Sequence, residues 1–206
     1  QIMKHWDHPR SGVGSSRYRH PDYGTLSADY GSTVYQWNQM PNQLGSGSSS
    51  SQRSAVATLM SHSGVSVQMG YGVDGSGISD IRMVVDSLKR YFDYSASITQ
   101  IKKRESSDSL WKAALRSELS AGRPVFYAGF SPDGREGHAW VCDGYDRNGM
   151  FNMNWGWDGN ADGYFALSAL KAGVYDFSTE QMAIIGIVPN RTVSTPGVEL
   201  SEAIAV

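Results

Sequence analysis

Apolar residues recur along this chain at two periods, and the period changes near the middle. Ile81, Val84, Val85, Leu88, Tyr91 and Phe92 fall at helical spacing, with Ser79 placed to cap the first turn. Leu110, Trp111, Ala114, Leu115 and Leu119 set a second stripe over 109–121, ended by Gly122. A shorter helix is expected over 54–64 with Gly64 as its stop, and an amphipathic one over 1–8 ended by Pro9. Alternation with period two then takes over. Residues 97–101, 125–130, 139–145 and 150–155 read as strands, the last two joined through Arg147-Asn148-Gly149 by hairpin turn chemistry. The apolar run 183–189 is expected to close the sheet as a buried strand. Between these, residues 15–35 read as loops with short extended pieces, and the serine-rich run 45–51 reads as an exposed flexible loop. Residues 168–173 read as a turn or short helix, followed by a polar connection over 174–182. Helices early and antiparallel strands late imply an α+β fold. Residues 192–206 have few apolar anchors, so the domain is placed at 1–190 and a tail or linker at 191–206.

Composition narrows the functional classes. A chain of 206 residues, 40% hydrophobic, is long enough for one globular domain with a sizeable core. A net charge of −2 supplies no basic field, which argues against nucleic acid and anionic membrane as partners. The single cysteine, Cys142, excludes an internal disulfide framework. His5 and His8 flank Asp7 at a helix end, where surface histidines are the ordinary reading. Asp158-x-Asn160-x-Asp162-Gly163 is the first half of a calcium loop, but position twelve is Ala169, which cannot supply the closing carboxylate. The plainer reading is a turn whose side chains bond their own backbone. No metal or cofactor is called for.

Candidate chemistry gathers in 137–167. His138 stands at the mouth of a strand between Gly137 and Ala139, with room for its ring to enter a cleft. The hairpin brings Asn154 and Trp155 alongside it. An amide there would accept the Nδ1 proton and leave Nε2 as base, with Trp155 shielding the bond from water. Such a histidine activates a nucleophile, and Cys142 is the one thiol present. Spacing removes it: four strand residues separate the two by about 13 Å. Cys142 is therefore expected to be a buried packing residue, and the nucleophile to come from elsewhere.

Gly137-His138-Ala139, Asn154-Trp155-Gly156-Trp157 and Gly163-Tyr164-Phe165 resemble the histidine and Asn-Ser-Trp-Gly segments of the papain clan, in detail the streptopain family of bacterial cysteine peptidases. Gln1-Ile2-Met3-Lys4-His5-Trp6 resembles the stretch that in this family follows the nucleophilic cysteine by about seven residues on one helix. The resemblance spans 1–189. It implies a papain-like architecture, with a helical lobe and a β-sheet lobe facing across a cleft. It implies His138 as base, Asn154 and Trp155 as its orienting residues, and Trp157 and Gly137 in support; the glycine-rich segments 70–77 and 131–137 read equally as cleft walls or as ordinary surface loops. It further implies protein or peptide substrates, an inhibitory propeptide, secretion, and a cysteine carried upstream of residue 1, so that residues 1–206 alone are expected to be inactive. The competing class is a non-catalytic binding module, a pseudo-peptidase or carbohydrate binder, using the Trp/Tyr surface of 155–164.

Overall fold

The computed structural model describes residues 1–190, so the expected tail lies outside the described residues. Helix α1 (Ile2–Trp6) leads into the antiparallel hairpin β1 (Ser15–His20) and β2 (Gly24–Asp29), then α2 (Ser50–Ser66) and α3 (Arg82–Tyr91). After β3 (Thr99–Lys102) and α4 (Asp108–Ser120) come β4 (Val125–Phe130), β5 (Gly137–Tyr145), β6 (Phe151–Asn154) and β7 (Gly163–Phe165). A small antiparallel hairpin of β8 (Lys171–Ala172) and β9 (Tyr175–Asp176) precedes β10 (Thr179–Ile185). The main sheet has six strands in the order β3-β10-β4-β5-β6-β7, every neighbour antiparallel. The class is α+β.

Alternation along the central strands gives this sheet two apolar faces. Val125, Tyr127, Trp140, Cys142 and Ala183 bury one face with Trp111 and Leu115 of α4. Ala128, Val141 and Ile184 bury the other with Ile2 of α1 and residues of α2 and α3, Val65, Val85 and Leu88 among them. This explains one departure from expectation. β10 does not close the sheet; it lies inside it, between β3 and β4, because it is apolar on both sides and needs cover on both. Among the described residues no helix is long and apolar enough to cross a membrane.

Further features differ from the sequence expectation: α3 is capped at Ile81 with no side-chain hydrogen bond rather than by Ser79, and the expected polar connection over 174–182 carries β9 and the start of β10. The serine-rich run does not stay a loop to its end: Ser49 caps α2 by accepting from the Gln52 N–H at 3.2 Å, while the Gln52 side chain accepts from Ser49 N–H at 2.9 Å. Gly64 does not stop the helix; a Cβ there would overlap the Tyr71 hydroxyl, so glycine serves close packing. The β1–β2 hairpin replaces the expected loops, its inward positions being Ser16, Tyr18 and His20 rather than aliphatic residues.

Candidate active site

His138 is the second residue of β5 and faces Gly129 of β4 across the ladder. Its half-buried ring lies among aromatic rings, with centroid distances of 4.8 Å to Trp157, 5.3 Å to Phe177, 6.0 Å to Trp140 and 6.4 Å to Trp155. Nε2 lies 2.8 Å from the Trp155 carbonyl oxygen. A carbonyl can only accept, so Nε2 carries the proton and Nδ1 holds the free lone pair. The anchored nitrogen is thus Nε2 and not the expected Nδ1. Burial pulls the imidazole pKa below its ordinary value, and the Trp155 carbonyl opposes that by favouring the charged ring.

Asn154 supports the ring at one remove. It pairs with Val141, three residues along β5 from His138 and so about 10 Å away, too far for an amide to reach the imidazole. Its Oδ1 instead accepts from the Gly156 N–H at 3.1 Å and from Gln1 Nε2 at 2.6 Å. Gly156 N–H and Trp155 C=O are the two ends of one planar peptide unit. Holding the first aims the second, and the second holds His138. The chain turns sharply there, at Gly156 with φ 76. The expected amide-to-ring bond is replaced by an amide-to-peptide-to-ring chain.

The other expected residues fall close by. Trp155 is fully buried, its ring 4.5 Å from Trp140 and 5.3 Å from Phe165. Trp157 forms the ring contact nearest His138. Gly137 leaves space for the Phe130 ring, which a Cβ would meet at 2.8 Å. Cys142 is fully buried, and burial pushes its thiol pKa up to about 12, so it is neither accessible nor ionised at neutral pH.

Three residues that the sequence did not single out complete the box. Trp140 shares the face of β5 with His138. Phe177 comes from the far side of the β8–β9 hairpin. Gly129 admits the Phe177 backbone, which a Cβ at that position would overlap. The period-two spacing of 138 and 140 signalled the first; nothing local signals the other two.

The profile of the Peptidase C10 family matches residues 1–165. The chain belongs to the Peptidase C10 family. It is 38% identical over 199 residues to the thiol protease/hemagglutinin PrtT of Porphyromonas gingivalis, covering 92% of this chain and 22% of that protein. It is 35% identical over 205 residues to streptopain of Streptococcus pyogenes, covering 92% of this chain and 50% of that one. The chain therefore spans half the length of streptopain and about a fifth of PrtT. Among solved structures it is similar to active interpain A cysteine protease of Prevotella intermedia, with a TM-score of 0.84 and 35% identity over 91% of this chain and 79% of that one. A prointerpain A fragment gives a TM-score of 0.78 at 34% identity, over 91% of this chain and 60% of that chain. The relatives named are cysteine proteases, and the matched residues 1–165 include His138, Asn154, Trp155 and Trp157.

Proposed function

We propose that residues 1–190 form the histidine-bearing body of a bacterial cysteine endopeptidase that hydrolyses protein substrates, with His138 as base and a cysteine supplied by a segment upstream of residue 1. The observation that carries this reading is the fixed ring of His138, anchored through Nε2 and presenting Nδ1 as its free nitrogen. The placement of α1 supports it. His5 at the C-terminal end of α1 contacts the Gly122 carbonyl, three residues before Val125, which pairs with Cys142; Gln1 at the other end contacts Asn154, which pairs with Val141. Traced backwards, α1 thus runs along β5 toward His138. Seven more helical residues advance about 10 Å, the distance from Val141 to His138 along the strand.

In this reading the cysteine proton passes to His138 Nδ1, giving a thiolate beside an imidazolium. The thiolate adds to the scissile carbonyl, and backbone N–H groups hold the resulting oxyanion. Nδ1 returns its proton to the leaving amine as the C–N bond breaks. Water then gives a proton to Nδ1 as it attacks the thioester, and the C–S bond breaks to release the acid and restore the thiolate–imidazolium pair. The Trp155 carbonyl stabilises the imidazolium throughout, and the aromatic box keeps water from that bond. The cleft lies between the helical and sheet lobes of a papain-like arrangement, with 70–77 and 131–137 as walls. The same reading assigns secretion and an N-terminal inhibitory propeptide.

In the complete protein, peptide hydrolysis is expected to vanish on His138→Ala and on thiol alkylation, while residues 1–206 alone are expected to be inactive. Hydrolysis that survives both treatments sinks the proposal.

A further inference from the structure

The turn Asp158–Gly163 takes no part in the chemistry above, although its acidic spacing begins like a cation loop. Both of its carboxylates are turned to N–H donors of the protein itself. Asp158 Oδ1 accepts from Gln43 Nε2 at 2.6 Å, and Asp162 Oδ1 accepts from the backbone N–H of Trp155 at 2.8 Å. The second contact reaches the support of His138. Trp155 lies one residue past the end of β6, and the chain turns away at Gly156. Its carbonyl is therefore aimed by two holds rather than by the ladder: Asn154 on the peptide after Trp155, and Asp162 on the peptide before it.

We propose that Asp162 is a positioning residue for His138: its carboxylate fixes the Trp155 N–H so that the carbonyl of the same residue stays 2.8 Å from His138 Nε2. The inference rests on the reading of His138 as the base. Without Asp162 the residue can rotate about its own φ and ψ, the two soft torsions between its N–H and its carbonyl. The carbonyl then leaves Nε2, and the imidazolium loses the acceptor that stabilises it. Asp162 is carried at the right distance by its own element. Ala161 at φ 63 and Gly163 at φ 153 bend the turn back to β7, where Gly163 pairs with Met153 of β6. The carboxylate is thereby returned to the strand end that it holds.

The test uses the complete peptidase with Asp162→Ala, Asp162→Asn and His138→Ala, reading the pH dependence of kcat/KM and of the thiol alkylation rate. Asp162→Ala is expected to lower kcat on the order of 10- to 100-fold, the usual cost of a misplaced catalytic group, with KM little changed. It also moves the basic limb of both profiles to lower pH, because the imidazolium is less stable. Asp162→Asn keeps Oδ1 as an acceptor and restores both. Where Asp162→Ala does not fold, Asp162→Ser, whose arm is too short to span to Trp155, takes its place with the same expectation. Unmoved profiles in Asp162→Ala or Asp162→Ser, or equal damage in Asp162→Asn, overturn the assignment. Loss of activity in His138→Ala alongside either result confines the failure to Asp162. Activity that survives His138→Ala overturns the base itself, and with it the inference.

Discussion

His138 carries two constraints that a titration can separate: burial, which disfavours the charged ring, and the Trp155 carbonyl, which favours it. With no thiolate beside it in residues 1–206, burial dominates. Its ring is expected to titrate below the ordinary histidine value of about 6.5, with Nε2 protonated in the neutral form, by NMR of the ring nitrogens. A titration at or above that value contradicts the dominance of burial, and an Nδ1–H tautomer contradicts the anchoring through Trp155. Much of this residue's setting was legible beforehand. Small neighbours, a strand mouth and a hairpin partner at 154–155 marked His138, and a count of strand residues removed Cys142. Which nitrogen is anchored was not legible. It depends on a backbone carbonyl, and every residue has one, so no side-chain type announces it.

At the scale of elements, β4 and β5 owe their contact with the 177 segment to a missing side chain. Gly129 sits opposite His138 and leaves room for the Phe177 backbone, which lays its ring 5.3 Å from the imidazole. Gly129→Ala is expected to push that segment outward. The cost is about 1–3 kcal/mol of stability, as for overpacking elsewhere, with a loss of peptidase activity in the complete protein. Denaturant melts and kcat/KM check it, and an Ala variant with unchanged activity removes Phe177 from the roof. Helical and strand periods located α3, α4, β4, β5 and β6. The α2 start is written in Ser49-x-x-Gln52, a capping box masked by the run of serines around it. The β1–β2 hairpin was hidden because Tyr18 and His20 fill its inner face in place of aliphatic residues.

For the whole molecule, two half-buried histidines, His62 and His138, make stability near neutral pH depend on pH. Burial lowers the pKa of both His62 and His138 below the unfolded value. The unfolded chain then binds more protons than the folded one in that window, so stability rises with pH. Their contribution is complete above about pH 6.5 and is lost as pH falls toward the lower folded values. Thermal melts of residues 1–206 are therefore expected to drop between pH 7 and pH 5, with a shallower drop in His62→Gln. A flat melting temperature over that range contradicts it.

The sequence by itself determined the α+β class, most of the elements, the marked histidine and the exclusion of Cys142, because periodicity, turn chemistry and residue spacing are local. Tertiary structure alone decided that β10 enters the middle of the sheet, and that Asn154 acts on His138 through a peptide unit. It also decided that Phe177 and Gly129 close the aromatic box. These follow from which strand finds cover on both faces and which backbone groups meet. Such contacts join residues tens of positions apart, and no local pattern records them.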